Sequence, residues 1–277
     1  MTRTSLLRQA FERVRPHMTP RLLVIGAQKA GTSALFSMLA KHPKAAPPVR
    51  KELDFFNDDA AYAKGMRYYR SLFPPIPATS FGHFTFEASP SYLYHAERCA
   101  PRIAKDLPGV TCVAVLRDPV KRAYSAWNMF RAFKGHPLRG HLHDPRSFRQ
   151  AVEDELAGRT LHAYHMYLAR GLYAAQLAHF AAVVPNERLL VFSYTELKKH
   201  PHEVLRRLCA QLDIAEIPAS TNAGQVKAHV VGYNEPLDPG LAAELYRYFA
   251  NEPAQLQQVL SRSIDLFEAP MPGPVSV

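Results

Sequence analysis

The sequence predicts an α/β fold, a three-layer sandwich in which a central, mostly parallel β-sheet is flanked by helices. Two observations carry this prediction: short apolar runs recur along the 277 residues, and stretches with helical spacing of apolar residues alternate with them. Such alternation is typical of a parallel sheet covered on both faces. No internal repeat or long linker divides the chain, so we expect one domain over residues 20–277, preceded by a basic arm or helix over 1–19.

The strands are predicted from the pattern of their apolar residues. Buried parallel strands read as continuous apolar runs, whereas a half-buried strand alternates. Three runs are continuous and "HFTFEAS" alternates, which predicts strands at 21–27, 83–89, 110–116 and 187–194.

The helices are predicted from apolar spacing and from proline. Pro74 and Pro75 end one helix, and Pro119 stands at a first helical position, where proline is favoured. The predicted helices are 32–42, 61–73, 97–107, 119–133, 147–158, 172–184 and 202–214, with one or two more in 238–262.

The composition indicates a partner and a compartment. Lys+Arg 34 against Asp+Glu 24 gives a net charge of +10, which suits an anionic partner or a merely basic surface. The three cysteines fit neither a zinc site nor a CxxC pair, so we expect a reduced, cytoplasmic protein. No apolar stretch approaches the roughly 20 residues of a membrane-spanning helix. The basic N-terminal segment lacks the apolar core of a signal peptide. Peripheral contact of this segment with a membrane surface stays an alternative.

The loop after the first strand has the composition of an anion site. "GAQKAGTS" runs from Gly26 to Ser33, and glycines and a helix N-terminus let backbone N–H groups approach an anion. The loop is P-loop-like, but Thr32 stands where GxxxxGK[ST] has its lysine, and Lys29 lies inside the loop, which argues against ATP. The alternative is an ordinary helix start capped by Thr32 and Ser33, with Lys29 in water.

A second candidate anion site follows the strand at 110–116. Arg117 comes directly after that strand, and Ser125 lies inside the next predicted helix. A guanidinium at a strand end can bind a phosphate through two parallel hydrogen bonds. The alternative is a surface ion pair between Arg117 and Asp118. Two anion sites at neighbouring strand ends suit a nucleotide that is phosphorylated at two positions.

The two motifs together, "GAQKAGTSAL" and "LRDPVKRAYSAW", resemble the nucleotide-binding elements of sulfotransferases that use 3′-phosphoadenosine 5′-phosphosulfate (PAPS). The similarity is greatest to bacterial carbohydrate-type enzymes and to the domains that modify heparan sulfate. It implies that the first loop holds the 5′-phosphosulfate and the second element the 3′-phosphate. The implied contacts are Lys29, Ala30, Gly31, Thr32, Ser33, Arg117 and Ser125, with Lys227, near His229 and Tyr233, in a loop over the nucleotide.

The resemblance also implies a catalytic base. Sulfuryl transfer needs a base for the acceptor's proton and a cation for the leaving phosphate oxygen. Glu52 in "RKELDFFND" matches the glutamate of the family's E-x-x-F-F segment, and Lys29 is expected to stabilise the leaving group. The alternative makes Lys51 and Glu52 an exposed charged turn, anchored by Phe55 and Phe56.

Glu87 is a further catalytic candidate, because it lies near the end of the strand at 83–89 on the side of the first loop. We expect it to orient the acceptor or to act as a second carboxylate, although it also resembles the strand-end acid of a nucleoside triphosphatase. The family often has a lysine after this glutamate, where this chain has Ala88. Lys29 then suffices, or Lys51 or another cation compensates, or the transfer step differs.

The loop with His136, His141 and His143 lacks a nearby fourth ligand, so we expect it to face the acceptor or solvent rather than a metal. The leading hypothesis is a bacterial, PAPS-dependent sulfotransferase that needs no metal and acts on a hydroxyl, or less readily an amine, of a carbohydrate or glycosylated small molecule. A P-loop small-molecule kinase using Mg-ATP is the alternative. A non-catalytic binder of polyanions or nucleic acid is the third hypothesis.

Overall fold

A four-stranded sheet forms the centre of the fold. The computed structural model of the protein describes residues 16–77, 82–160, 162–225 and 236–267. In these ranges the strands are β1 (Leu22–Gly26), β2 (Phe86–Ala88), β3 (Thr111–Leu116) and β4 (Leu189–Ser193). All neighbours pair in parallel, in the order β2-β1-β3-β4. The predicted α/β class with a parallel central sheet is confirmed.

The strands are buried, as their apolar runs predict. Every residue of β1, β2 and β3 is buried, and only one residue of β4 is partly open. The pairing of β1 with β3 shifts register between Val24 and Gly26, immediately before the loop that follows β1. The carboxyl ends of β1, β3 and β4 therefore meet at one edge of the sheet, where α/β proteins bind ligands.

Helices flank the sheet. The α-helices of the described ranges are α1 (Thr32–Leu39), α2 (Asp59–Tyr62), α3 (Gly65–Ser71), α4 (Ser91–Tyr94), α5 (Ala96–Asp106), α6 (Pro119–Arg131), α7 (Phe148–Leu156), α8 (Tyr173–Ala181), α9 (Tyr194–Lys199), α10 (Pro201–Gln211), α11 (Pro239–Tyr248) and α12 (Glu252–Leu260). Short 3₁₀ turns lie at Gly140–Leu142, Ala163–His165, Ala169–Gly171, Asn186–Arg188, Ala219–Thr221 and Ala223–Gln225. No helix in these ranges combines the length and the apolar content that crossing a bilayer requires.

The structure differs from the predicted helices in three places, one of which is the short helix α4, which was not predicted. The single helix predicted over 61–73 is wrong: the chain forms α2, turns, and starts again as α3 at Gly65, whose φ of 76° lies outside the helical region. Helix α9 was not predicted. It begins directly after β4, where Oγ of Ser193 accepts a hydrogen bond from the N–H of Glu196 and caps the helix.

Two apolar clusters form the core. The larger one packs the sheet against helices that include α1, α5, α8 and α10. The second is built mainly from α6, α7 and α11 and from the segment around Tyr167. The first cluster fixes the strand ends, and the second supports the helix that follows β3.

Candidate active site

The loop between β1 and α1 is held close to the neighbouring elements. A Cβ at Gly26 would lie 2.5 Å from the Cβ of Leu93, so only glycine fits there. The N–H of Ala27 donates to the carbonyl of Val115 in β3 (2.8 Å). Gly31 then precedes α1 with a φ of 93°, a left-handed conformation that glycine adopts at little cost. The loop thus leads into a helix N-terminus beside the end of β3.

Three cations meet at this loop. Nη1 of Arg117 donates to the carbonyl of Lys29 (3.3 Å), and Nζ of Lys51 donates to Oγ of Ser33 (3.0 Å). Burial and the positive charges of Arg117 and Lys51 lower the pKa of Lys29. Because a bound anion would offset this mutual repulsion, the arrangement fits a phosphate or phosphosulfate group.

Arg117 connects the ends of three strands. It follows β3, touches the loop after β1, and lays its guanidinium over the ring of Tyr194, 4.8 Å from the ring centroid. Tyr194 starts α9 directly after β4, and its ring also borders Gly31. The sequence reasoning missed Tyr194, although the signal that singled out Arg117, a side chain directly after a buried strand, applies to it as well.

The surroundings of Arg117 differ from a surface ion pair. Asp118 is fully buried: Oδ1 accepts from two N–H groups in the first turn of α6, and Oδ2 accepts from the hydroxyl of Tyr246 (2.9 Å). Asp118 is therefore the cap of α6 and not a solvated partner of Arg117. Ser125 lies on the second turn of the same helix and is 6% exposed.

Aromatic anchors fix the segment that carries Glu52. Phe55 and Phe56 are fully buried, and each contributes about 1.5–3 kcal/mol. The ion pair between Glu52 and Lys51 (3.1 Å) leaves the Glu52 side chain 41% exposed, so it contributes at most about 1 kcal/mol. The anchors therefore hold the segment, while the contact of Lys51 with Ser33 brings it to the cation site.

Glu87 lies in the interior of the fold, with 1% of its surface exposed. Its Oε1 accepts from the hydroxyls of Ser89 and Tyr92 (2.6 Å each), and its Oε2 accepts from the hydroxyl of Tyr69. Burial raises the pKa of Glu87 to about 7, against the opposing effect of these hydrogen bonds. This environment has no open face for an acceptor, whereas the sequence predicts that Glu87 orients the acceptor or acts as a second carboxylate. Ala88 is buried as well.

A pair of opposite charges, Asp54 and Arg170, lies beside the segment that carries Glu52. Burial and the charge of Glu52 raise the pKa of Asp54 to about 6. Arg170 is 3% exposed, its guanidinium lies 4.1 Å from the ring centroid of Tyr94, and its charge acts on Asp54. Sequence reasoning missed both. Asp54 carried a signal, as a second carboxylate two residues after Glu52, but no sequence pattern marks Arg170.

The histidine-rich loop is held by local contacts. Nδ1 of His136 accepts from the N–H of Leu138 (3.1 Å), and Nδ1 of His143 lies 3.3 Å from the carbonyl of Phe130. Across the residues that the structure describes, no three His, Cys, Asp or Glu side chains are grouped so that they could hold a metal ion. The predicted nucleotide-loop residues Lys227, His229 and Tyr233 lie outside the described residues.

Comparison with known proteins identifies relatives of the chain. A family model described as "Sulfotransferase domain" matches residues 19–228. Human bifunctional heparan sulfate N-deacetylase/N-sulfotransferase 2 is 30% identical over 187 residues, which cover 66% of this chain and 20% of that protein. The chain thus spans about a fifth of the length of that curated relative.

Solved structures agree with the fold. A sulfotransferase from Alicyclobacillus acidocaldarius superposes with a TM-score of 0.69 at 27% identity, covering 88% of this chain and 97% of that one. Mouse sulfotransferase SULT7A1, solved as a complex with PAP, superposes with a TM-score of 0.52 at 13% identity, covering 86% of this chain and 85% of that one. The second similarity supports the fold alone.

Proposed function

The chain belongs to the sulfotransferase domain family, and from that premise we propose that it moves a sulfuryl group from PAPS to a hydroxyl, or less readily an amine, of a carbohydrate or glycosylated small molecule. The observation that carries the proposal is the convergence of Lys29, Lys51 and Arg117 on one loop. Two anion sites at adjacent strand ends suit a donor with phosphates at two positions.

The donor contacts follow from this arrangement. In the proposal, residues 29–33 hold the 5′-phosphosulfate, and Arg117 and Ser125 hold the 3′-phosphate. The lowered pKa of Lys29 supports the first assignment, because an anion would stabilise its charged form. The position of Arg117 directly after β3 supports the second. Lys227 stays a predicted contact to the nucleotide, and no metal takes part in the scheme.

Glu52 is the proposed general base. It accepts the proton of the acceptor's hydroxyl as the acceptor oxygen bonds to sulfur. The bond between sulfur and the phosphate oxygen breaks, and its electron pair leaves with PAP. The partial exposure of Glu52 and its pairing with Lys51, which also contacts the loop, support this role.

Lys51 is the proposed second cation beside Lys29. The two lysines stabilise the charge that develops on the leaving phosphate oxygen. The contact of Lys51 with Ser33 supports this role, and because residue 88 is alanine, the neighbouring strand supplies no cation at that position.

We propose one sulfotransferase domain from residue 20 onward, in a bacterial, cytoplasmic protein. The family match over residues 19–228 supports the domain, and the free thiols of Cys99, Cys112 and Cys209 fit a reducing compartment.

Transfer from labelled PAPS to a panel of sugars with hydroxyl or amine acceptors tests the function. Glu52→Gln should lower turnover by about 10²–10⁴-fold and leave PAP binding intact. Glu97→Gln, an exposed carboxylate on α5, serves as the matched control. Unchanged turnover in Glu52→Gln removes Glu52 from the mechanism, and absence of PAP binding by the wild type refutes the donor.

A further inference from the structure

The buried carboxylate of Glu87 is the final acceptor in a hydrogen-bond network that reaches the segment carrying Glu52. Ser89 and Tyr92 donate their hydroxyl protons to Oε1 of Glu87. Oγ of Ser89 in turn accepts from the N–H groups of Leu53 and Asp54, at 3.0 Å each.

Tyr92 makes the corresponding link to the next residue of the segment. Its Oη accepts from the N–H of Phe55 (3.0 Å) while it donates to Glu87. The N–H groups of the three residues directly after Glu52 therefore donate to two hydroxyls, and both hydroxyls donate to one carboxylate.

The directions of these bonds are fixed by the number of protons. A hydroxyl has one proton and two lone pairs. Both lone pairs of Ser89 are taken by backbone N–H groups and Tyr92 accepts from a third, and each hydroxyl directs its own proton to Oε1 of Glu87. Glu87 is therefore the acceptor shared by both hydroxyls.

The third bond of Glu87 provides an internal comparison. Tyr69 donates to Oε2 and is fully buried, like Tyr92, but the described contacts give its hydroxyl no link to residues 53–55. The ring of Tyr69 stacks on Phe55, with the ring centroids 4.6 Å apart, so both tyrosines contact the segment, but only the hydroxyl of Tyr92 is hydrogen-bonded to its backbone.

We infer that Glu87 is a positioning residue: acting through Ser89 and Tyr92, it sets the backbone of residues 53–55 and so the placement of the Glu52 carboxylate. This inference rests on the proposed role of Glu52 as base. It replaces direct contact of Glu87 with the acceptor, for which the carboxylate has no open face.

The kinetic test uses the matched pair Tyr92→Phe and Tyr69→Phe. Tyr92→Phe should lower kcat about 10–100-fold, because small misplacements of a catalytic group have effects of that order. KM for PAPS and the Kd for PAP should stay within about twofold, since the donor loop is not part of the network. Tyr69→Phe should keep a wild-type kcat. Equal loss of kcat in both variants overturns the inference.

Glu87→Leu tests the carboxylate itself. Leucine has no acceptor oxygen, so the hydroxyls of Ser89 and Tyr92 both lose their acceptor. The variant should lower kcat at constant KM for PAPS, whereas Glu252→Leu, at another buried carboxyl that accepts from the N–H of Ala174 (3.1 Å), should not. Parallel effects of the two variants refute a positioning role.

Amide hydrogen exchange supplies a readout that needs no turnover. Exchange at Leu53, Asp54 and Phe55 should rise in Glu87→Leu and Tyr92→Phe and stay at the wild-type level in Tyr69→Phe. If the wild type transfers no sulfuryl group, the proposed function fails. The exchange experiment still tests whether Glu87 holds the backbone of residues 53–55. If exchange at these residues is unchanged in all variants, the inference fails on its own.

Discussion

Substitution of Gly31 by alanine disturbs both anion sites through one methyl group. Gly31 has a φ of 93°, and a Cβ there would lie 3.2 Å from Cδ2 of Leu197 and 3.2 Å from Cδ2 of Tyr194. Tyr194 is the ring on which Arg117 lies. The methyl group therefore strains the loop that bears Lys29 and displaces the Tyr194 ring that the Arg117 guanidinium contacts.

The size of the effect follows from these contacts. The left-handed backbone costs alanine about 1–2 kcal/mol, which lowers Tm by about 2–8 °C in a domain of this size. Loss of the guanidinium–ring contact and of an aligned charged hydrogen bond to the 3′-phosphate costs about 1–3 kcal/mol of binding, or about 5–150-fold in the Kd for PAP.

Gly65→Ala is the matched control. Gly65 has a φ of 76°, and a Cβ there would meet nothing within 4 Å. Both variants should lose similar stability in thermal melts, but only Gly31→Ala should weaken PAP binding in calorimetric titrations. Wild-type PAP affinity in Gly31→Ala, or an equal loss in Gly65→Ala, refutes the shared geometry of loop, ring and guanidinium.

Three further predictions concern single side chains. Arg117→Met should weaken PAP about 10–100-fold. Adenosine 5′-phosphate, which lacks the 3′-phosphate, should lose less affinity in the same titration, because the contact of Arg117 with the 5′ site is indirect, through the carbonyl of Lys29. Equal loss of both ligands contradicts the assignment. Lys51→Met should lower kcat about 10–100-fold and also weaken PAP, whose 5′-phosphate carries the charge that Lys51 stabilises, whereas Lys105→Met, on the exposed side of α5, should match the wild type in the same assays. Since the folded pKa of Glu87 is about 7 against an ordinary 4.5, the folded state keeps this proton longer, so stability falls as pH rises between these values. Urea melts should show the wild type losing about 3 kcal/mol relative to Glu87→Gln from pH 4.5 to about 8, and a constant difference would count against a raised pKa.

The strands of the sheet could be predicted because the apolar pattern of each one lies within a short stretch of sequence. The strand at 110–116 differs from β3 by one residue, since a continuous apolar run has one stable place in a parallel sheet. β2 is shorter than the predicted 83–89, because its length is set by pairing with β1 and not by its own alternation. The helix predicted over 61–73 failed at Gly65, whose freedom to turn overrode the apolar spacing on either side.

The candidate site was predictable only in part, for a related reason. Lys29 and Arg117 stand next to strands that the sequence reveals, and the sheet brings them within one hydrogen bond of each other. Tyr194 and Arg170 join the site through contacts between distant parts of the chain, which no single sequence records. The interior position of Glu87 was also hidden, because it depends on the hydroxyls of Tyr69 and Tyr92 packing over the strand end.

Calorimetric titration of the wild type with PAP and with Mg-ATP is the most direct test of the central claim, because it needs no knowledge of the acceptor. PAP should bind at the loop, and at about 100 times its Kd it should add about 2.7 kcal/mol to the free energy of unfolding. Mg-ATP should bind far more weakly, since Thr32 stands where a triphosphate loop has lysine. Preference for Mg-ATP, or no binding of PAP, would contradict a sulfotransferase that uses PAPS.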